Sequence, residues 1–273
     1  MKAGKYSLTF EEHIHVMGIL NITPDSFSDG GRYNETEAAV QHAMQMAKDG
    51  AHIIDIGGES TRPGYTPVSI EEEISRTAPV IEAVSAAVQI PISIDTFKAR
   101  TAEKAVEAGA SIINDIWGAK KEPEIAAVAA EKQVPIILMH NRGKKDYTDF
   151  MKDCLDDLHD SITIAKKAGV ADSQIILDPG IGFAKTMNQN IEMMQNLDEI
   201  AALGYPVLLG TSRKRIIDYV LNVPVDERME GTGATCCFGA QKGCRIMRVH
   251  DVKPIARMMK MMDALLGKEG ARG

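Results

Sequence analysis

The 273-residue chain lacks the features that mark several classes of protein. No stretch approaches eighteen consecutive apolar residues, so no transmembrane helix is expected. Residues 1–12 lack the long apolar core of a signal peptide. The chain has 38 acidic and 31 basic side chains, and this net charge of −7 argues against a nucleic-acid-binding face. We therefore expect neither a membrane nor a nucleic acid as partner, although a local anion site remains open.

Cysteine is scarce, and the four that occur form no metal or redox motif. They stand at positions 154, 236, 237 and 244, without a Cys-x-x-Cys pair and without a His cluster at metal-ligand spacing. We therefore expect reduced structural thiols and a cytoplasmic location. No tract rich in Ser, Pro or Gly marks a linker, so the sequence predicts one domain.

The chain does contain eight short apolar runs rich in Ile, Val and Leu, with starts roughly 20 to 40 residues apart. They begin near His15, His52, Ile92, Ile112, Ile136, Ile175, Val207 and Ile246. Several intervening segments have helical periodicity; Val40, Ala43, Met44 and Ala47, for example, fall at i, i+3, i+4 and i+7. Apolar strands alternating with helices indicate a parallel sheet covered by helices. Eight such units in about 250 residues predict an α/β fold, the (β/α)₈ TIM barrel, with a doubly wound open sheet as the alternative.

The predicted domain organisation follows from this barrel. We expect residues 1–14 to close its bottom with a short N-terminal β-hairpin, placed at about 4–12. The barrel itself should occupy residues 15–268, and 269–273 should form a flexible tail.

Polar residues follow every predicted strand, at the rim where barrels of this kind carry their active sites. The rim residues are Asn21, Glu59, Asp95, Asn114, Asp115, His140, Asn141, Asp178, Thr211, Ser212, Arg213, Lys214, Arg248, His250 and Asp251. Helix N-caps would explain several of them. They do not explain Arg248 and His250, which stand two apart and therefore share one face of a strand.

Asp95, Asn114, Asp178 and Lys214 form one chemical group, contributed by four different strands. Buried carboxylates need hydrogen-bond donors, and a flat, nitrogen-rich heterocycle such as an aminopyrimidinone would supply them. The alternative is a buried structural ion-pair network around Lys214.

A second group combines Asn21, Thr61, Arg62, Arg248 and His250. Arginine matches phosphate oxygens with two parallel hydrogen bonds, and the Asn21 carbonyl oxygen is a suitable Mg²⁺ ligand. The group therefore indicates a phosphate and metal subsite, although Arg62 taken alone would be a solvated loop charge.

These residues lie in segments that resemble the dihydropteroate synthase family. Two long segments match its motifs: Gly-Ile-Leu-Asn-Ile-Thr-Pro-Asp-Ser-Phe-Ser-Asp-Gly-Gly at 18–31 and Gly-Ala-His-Ile-Ile-Asp-Ile-Gly-Gly-Glu-Ser-Thr-Arg-Pro-Gly at 50–64. Shorter matches occur at 93–96, 113–116, 178–183, 211–214 and 248–251. The similarity covers roughly residues 15 to 266, and two long motifs in the correct order make chance implausible.

The resemblance implies an activity and a set of site residues. The family condenses 6-hydroxymethyl-7,8-dihydropterin pyrophosphate with 4-aminobenzoate to give 7,8-dihydropteroate and pyrophosphate, a step of folate biosynthesis. The implied pterin site comprises Asp95, Asn114, Met139, Asp178 and Lys214. The implied pyrophosphate and Mg²⁺ site comprises Asn21, Arg248 and His250. Two substrate-covering loops would contribute Asp29, Thr61, Arg62 and Pro63, and the 4-aminobenzoate pocket, where sulfonamides compete, would be bordered by Phe183 and Lys214.

The implied mechanism is dissociative substitution. Mg²⁺ and Arg248 would stabilise the departing pyrophosphate, while Asp95, with Asp29 on its loop, would screen the cationic methylene left on the pterin. Among these residues we expect Asp29, Arg62, Asp95 and Lys214 to carry catalysis. The family also implies a homodimer through helices near the C-terminus.

The chain departs from the family pattern directly after Lys214. Relatives usually have Ser or Arg, then Phe, and often Gly two positions further, whereas this chain has Arg215, Ile216 and Asp218. The edge of the 4-aminobenzoate pocket is therefore the part of the site where affinity and sulfonamide sensitivity are least determined. Arg215 has two interpretations, as a partner of the benzoate carboxylate or as a solvated charge.

Two other functions use a similar barrel. One is a pterin-dependent methyltransferase, which binds a pterin with a similar Asp/Asn set and passes a methyl group to a corrinoid. The other is a non-catalytic pterin-binding barrel. The Arg-Val-His sequence at 248–250 and the two long motifs favour a pyrophosphate substrate over both.

Overall fold

In the computed structural model, residues 15–249 form the predicted closed barrel of parallel strands. The strands are β1 (Lys2–Ala3), β2 (Tyr6–Ser7), β3 (His15–Asn21), β4 (Ile53–Gly57), β5 (Ile92–Asp95), β6 (Ile112–Asp115), β7 (Ile136–Met139), β8 (Ile175–Asp178), β9 (Leu208–Leu209) and β10 (Ile246–Val249). In the barrel the order is β8-β7-β6-β5-β4-β3-β10-β9. A parallel bridge between Leu177 and Val207 joins β8 to the start of β9 and closes the ring. The TIM barrel is thus confirmed and the open sheet is not found.

The structure describes residues 1–22, 31–59 and 68–268, without the side chains of 31–34. Four predicted site residues, Asp29, Thr61, Arg62 and Pro63, therefore lie outside the described residues, as does the predicted tail, 269–273.

Helices cover the outside of the barrel. They are α1 (Gly31–Lys48), α2 (Ile70–Ala87), α3 (Ala99–Glu107), α4 (Glu124–Lys132), α5 (Phe150–Lys167), α6 (Met187–Gln195), α7 (Leu197–Ala201), α8 (Arg215–Leu221), α9 (Met229–Gln241) and α10 (Val252–Leu265). Because the strands are packed on both faces, they are almost wholly buried, as their unbroken apolar sequences predict. Within the described ranges, no helix combines the length and apolarity needed to cross a bilayer.

The N-terminal hairpin closes the bottom of the barrel. Strands β1 and β2 pair antiparallel, so the hairpin spans residues 2–7, and the predicted position at 4–12 was wrong. Gly4 explains the shift, because its φ of +60° makes the turn that glycine adopts readily. Leu8 and Phe10, which follow the hairpin, pack with Ala3 against the lowest inward-facing layer of the barrel. That layer contains Met17, Ile53, Ile112, Ile137, Ile176, Leu208 and Ile246.

A layer of polar side chains lies directly above this apolar layer inside the barrel. Side chains two residues apart point the same way, so the inward positions directly above the apolar layer are two residues further along each strand. On β4, β6, β7, β8 and β10 those positions are Asp55, Asn114, Met139, Asp178 and Arg248. The barrel therefore brings polar side chains from separate parts of the chain together above the apolar layer.

Three imidazoles, His13, His15 and His52, pack together beside Phe10 at the bottom of the barrel, with ring centroids 4.5 to 5.2 Å apart. The His52 Nδ1 atom accepts a hydrogen bond from the Val16 backbone N–H, 3.0 Å away. Burial, assisted by the neighbouring imidazoles, lowers the pKa of His15 to about 3 and that of His52 to about 4. Both rings are therefore neutral in the folded protein at neutral pH.

We predict that this cluster makes the fold acid-sensitive. In the unfolded chain each histidine takes up a proton below its ordinary pKa of about 6.5, whereas in the folded chain it does not, so the free energy of unfolding falls with pH below 6.5. For one histidine the loss between pH 6.5 and 5 is about 2 kcal/mol. Urea unfolding of His15→Leu should show a shallower pH dependence than the wild-type chain. The exposed control His159→Gln should keep the wild-type dependence, and an unchanged slope in His15→Leu would contradict the prediction.

Candidate active site

Four residues at the top of the barrel stand side by side on neighbouring strands. Asn21 on β3 pairs in register with Gly57 on β4, Gly57 pairs with Asp95 on β5, and Asp95 pairs with Asn114 on β6. Of these, Asp95 and Asn114 are buried and Asn21 is exposed. The structure thus brings the predicted metal ligand within two strands of the predicted pterin carboxylate.

Arg248 holds two buried carboxylates together. Its Nε atom donates to Asp55 Oδ2 at 2.6 Å, and its Nη2 atom donates to Asp95 Oδ2 at 2.7 Å. Arg248 pairs in register with Met17 on β3, whereas Asp55 pairs with Ile19, two residues further along the same strand. The long Arg248 side chain thus extends from β10 across β3 to carboxylates on β4 and β5. Although burial alone would lower it, the pKa of Arg248 is raised by Asp55 and Asp95, which keeps the guanidinium charged.

Each of these carboxylates also has one oxygen directed away from the arginine. Asp55 Oδ2 receives a second hydrogen bond from Asn114 Nδ2 at 3.1 Å, but the buried Oδ1 atoms of Asp55 and Asp95 have no hydrogen-bond partner among the described residues. Burial raises the pKa of Asp95 to about 7, in spite of the opposing effect of Arg248. Unpaired buried oxygens are costly, so both carboxylates are suited to a ligand that presents N–H donors.

Asp178 and Lys214 form the opposite wall, but they do not form an ion pair. Asp178 accepts a hydrogen bond from the Gly180 N–H at 2.7 Å, and burial raises the pKa of its carboxyl. Burial also lowers the pKa of Lys214 to about 8. The Lys214 Nζ atom donates to the Ile181 carbonyl at 2.5 Å and lies 4.8 Å from the ring centroid of Phe183. The structural alternative considered for Lys214 is therefore not observed, and the ion pairs within the polar layer are those of Arg248 with Asp55 and Asp95.

His250 directly follows β10 and contacts Ser212 in the middle of the β9–α8 loop. The His250 Nδ1 and Ser212 Oγ atoms are 3.0 Å apart, and the same hydroxyl oxygen accepts the His250 backbone N–H at 3.1 Å. The sequence grouped His250 with Arg248 and separated both from Asp95. The structure instead places the Arg248 guanidinium on Asp95 and the His250 ring on Ser212.

The oxygen atoms around Asn21 can be compared with the ligands that Mg²⁺ needs when it also binds a substrate phosphate. A Cβ atom built on Gly57 would lie 3.8 Å from both Asn21 Oδ1 and Asp95 Oδ2, so the glycine leaves space between two oxygen donors. Mg²⁺ usually retains several waters and binds substrate phosphates with only one or two protein ligands. Among the residues that the structure describes, no group of three His, Cys, Asp or Glu side chains forms a separate metal site. The donor set thus fits Mg²⁺ held jointly by Asn21 and a phosphate.

The segment carrying Thr61, Arg62 and Pro63 is fixed at both described ends. Lys98 Nζ donates to Glu59 Oε2 at 2.5 Å and to the Val68 carbonyl at 2.8 Å, and the Val68 N–H donates to Glu59 Oε2 at 3.2 Å. This buried lysine therefore holds residues 59 and 68 together beside β5.

Sequence reasoning missed Asp55 as a member of the site and named Ser212 only as a rim residue without a role. Asp55 stands two positions after Ile53, which faces the barrel interior, so the two-residue period of the strand would have indicated an inward carboxylate. The contact of Ser212 with His250 has no comparable signal, because hydroxyls are common in loops. Met139 is buried in the inward layer, and its contact with the pterin stays a prediction.

The residues that depart from the family pattern make no hydrogen bond or ion pair with the side chains of the polar layer among the described residues. Arg215 is exposed on the first turn of α8, Ile216 is buried in the core, and Asp218 pairs with Arg228 at 3.3 Å.

We predict that Arg248 is needed for stability as well as for binding. Arg248→Met would leave two buried carboxylates without their cation, and such losses cost about 3–5 kcal/mol. Arg213, which pairs with Asp251 on the exposed rim, is the matched control, and Arg213→Met should cost about 1 kcal/mol or less. The difference between the variants in urea unfolding should shrink from pH 7 to pH 5, as Asp95 takes up a proton. Equal costs for the two substitutions would rule out this role.

The chain is similar to known proteins over nearly its whole length. The family described as "Pterin binding enzyme" matches residues 17–250. The dihydropteroate synthase of Bacillus subtilis is 61% identical over 264 residues, covering 97% of this chain and 93% of that protein. A Yersinia pestis dihydropteroate synthase structure with a sulfonamide drug is 39% identical, with a TM-score of 0.91 and coverage of 98% and 99% of the two chains.

A Xanthomonas albilineans dihydropteroate synthase structure with 4-aminobenzoic acid is 40% identical, has a TM-score of 0.89 and covers 94% of each chain. The resemblance in the sequence motifs is therefore confirmed along nearly the whole chain. The chain belongs to the dihydropteroate synthase family of pterin-binding enzymes.

Proposed function

We propose that the chain condenses 6-hydroxymethyl-7,8-dihydropterin pyrophosphate with 4-aminobenzoate, forming 7,8-dihydropteroate and pyrophosphate. The observation that carries the proposal is the pair of buried, unpartnered oxygens, Asp55 Oδ1 and Asp95 Oδ1, above an apolar floor. The pterin ring offers amino and ring N–H donors in one plane. Binding such donors satisfies both oxygens without moving Arg248.

The pterin ring lies, in this proposal, between the two walls of the polar layer. Asp95, Asn114 and Asp178 hydrogen bond to its edge, Met139 packs on its face, and Lys214 donates to a ring nitrogen or carbonyl. The buried carboxylates also screen the positive charge that develops on the pterin methylene as pyrophosphate leaves. Because the layer is closed below by Met17 and its neighbours, water reaches the cation only from the rim.

Pyrophosphate binds at the rim between β3 and β10. The hydrogen bonds of Arg248 to Asp55 and Asp95 use Nε and Nη2, which leaves Nη1 to donate to a phosphate oxygen. His250 and Asn21 complete this subsite, and Thr61 and Arg62 join it from the segments outside the described residues. Asp29, also outside the described residues, screens the methylene cation together with Asp95. Asn21 would hold Mg²⁺ together with the phosphates, and the bound ion would supply charge stabilisation for the leaving group.

The 4-aminobenzoate substrate stacks near Phe183 and Lys214, and Pro63, outside the described residues, is a further predicted contact. The C–O bond to pyrophosphate breaks first and leaves the methylene cation. The neutral amine then attacks the methylene carbon, forms the C–N bond and loses one proton. Support comes from the relatives crystallised with 4-aminobenzoic acid and with a sulfonamide drug. Sulfonamides are therefore proposed to compete at this pocket.

The other functions are less well supported. A pterin-dependent methyltransferase or a non-catalytic barrel would use the pterin layer, but neither needs the oxygen donor Asn21 beside a glycine-made space at the rim. The 61% identity to a dihydropteroate synthase across nearly both full lengths also favours the condensation.

We further propose a cytoplasmic homodimer. The cysteines at 154, 236, 237 and 244 are all free thiols, which suits a reducing compartment. Large apolar side chains are exposed on α8, α9 and α10, where a second copy would cover them. They are Tyr219, Val220, Leu221, Phe238, Met261 and Leu265.

The test is a product assay with purified chain, both substrates and Mg²⁺. The wild-type chain should form dihydropteroate and pyrophosphate in equal amounts, EDTA should stop the reaction, and added Mg²⁺ should restore it. Asp95→Asn should lower kcat/KM at least about 100-fold, since a charged acceptor is lost from the transition state. The exposed control Asp226→Asn should retain wild-type rates. Absence of pyrophosphate release by the wild-type chain would refute the proposed reaction.

A further inference from the structure

Lys185 is a fully buried lysine that the proposed reaction does not use. Its side chain is 1% exposed. The Nζ atom contacts His140 Nδ1 at 2.7 Å, the Gly180 carbonyl at 3.0 Å and the Phe183 carbonyl at 3.3 Å. An ammonium has three N–H donors, so these three acceptors satisfy it completely.

His140 connects this ammonium to a carboxylate. Burial lowers the pKa of His140 to about 4, so its ring is neutral. Because Nδ1 faces the donor Lys185, the ring proton is assigned to Nε2, which donates to Asp157 Oδ2 at 3.0 Å. The same Asp157 oxygen accepts Arg142 Nε at 2.5 Å. The position of the lysine is therefore fixed from behind by a hydrogen-bonded chain that ends on α5.

In front of Lys185 lies the turn 180–183, which leads from Asp178 to Phe183. The Phe183 N–H donates to the Gly180 carbonyl at 3.0 Å, and Gly180 has a φ of +66°. A Cβ atom on Gly180 would lie 2.0 Å from the His140 carbonyl oxygen, so the turn rests directly on the end of β7. On its other side, Lys214 donates to the Ile181 carbonyl. Two lysines thus hold the turn: Lys185 binds the Gly180 and Phe183 carbonyls, and Lys214 binds the Ile181 carbonyl.

We propose that Lys185 is a positioning residue for the amine substrate: by binding the Gly180 and Phe183 carbonyls, it holds the turn so that Phe183 and Lys214 receive 4-aminobenzoate. This inference rests on the proposed function. Lys185 touches no substrate, since its three donors are occupied within the protein. Among the residues proposed to bind the pterin, Asp55, Asp95 and Asn114 lie on β4 to β6 and have no hydrogen bond to the turn among the described residues. Asp178 and Lys214 do contact the turn, through the Gly180 N–H and the Ile181 carbonyl, so the Kd for the pterin should change less than the KM for 4-aminobenzoate but need not stay constant.

The experiment compares Lys185→Met with Lys167→Met, which removes an exposed lysine of α5. Lys185→Met keeps an unbranched side chain one atom shorter than lysine. It removes the Lys185 donor from the Phe183 carbonyl and from His140 Nδ1, and it leaves the Gly180 carbonyl with the Phe183 N–H alone. We expect the KM for 4-aminobenzoate to rise about tenfold or more, with kcat and the Kd for the pterin each changing less than about threefold. Lys167→Met should match the wild-type chain in all three.

A second comparison tests whether Lys185 acts through Phe183. In a Phe183→Ala background, adding Lys185→Met should raise the KM for 4-aminobenzoate less than about threefold, because the ring to be positioned is already absent. If Lys185→Met does not fold, Lys185→Gln replaces it in both comparisons. The glutamine amide keeps two N–H donors, so the expected increase in KM is about threefold.

The outcomes distinguish a failure of the proposed reaction from a failure of the proposed role of Lys185. An inactive wild-type chain refutes the proposed reaction. An active wild-type chain with Lys185→Met kinetics equal to those of Lys167→Met refutes the positioning role alone. Equal losses of affinity for pterin and 4-aminobenzoate would also refute it, because a general loosening of the barrel affects both ligands.

Discussion

The guanidinium of Arg248, held between Asp55 and Asp95, is the interaction on which the site depends. Two carboxylates this deeply buried repel each other and are poorly solvated, and only a cation with several directed donors offsets both costs. The arginine binds one oxygen of each carboxylate and leaves the other without a hydrogen-bond partner among the described residues. The same contact therefore stabilises the barrel and shapes the acceptors for a ligand.

The barrel makes this arrangement possible through the two-residue period of its strands. An apolar layer, closed from below by Ala3, Leu8 and Phe10, excludes water from one side, and the next inward layer carries Asp55, Asn114, Asp178 and Arg248. Lysines then organise the loops around this layer. Lys98 joins the flanks of residues 60–67, while Lys185 and Lys214 hold the turn 180–183 from two sides. The polar layer is thus surrounded by loops whose described ends are held by hydrogen bonds from lysine side chains.

The fold was predictable because eight apolar runs at regular spacing leave few architectures, and strand ends identified Asp95, Asn114, Asp178 and Arg248 as rim residues. The contacts among them were not predictable. The contact between Arg248 and Asp95 was missed because strand period gives the direction of a side chain but not its reach across a barrel. Asp55 was overlooked inside an apolar run, and Lys185, two residues after the motif at 178–183, gave no sign that it would be buried. Such contacts depend on the register between strands that are distant in the sequence. That register is seen only in the closed barrel and not in the sequence of any one strand.

Proton release on pterin binding tests most directly whether the carboxylates are the ligand's acceptors. The measurement is isothermal titration calorimetry at pH 7, in two buffers of different ionisation enthalpy, with a pterin that lacks the pyrophosphate. Because burial raises the pKa of Asp95, ring N–H donors that bind its ionised form should lower that pKa again and release a fraction of a proton per pterin bound. Asp95→Asn should abolish this release. No release from the wild-type chain, or the same release from Asp95→Asn, would contradict the account.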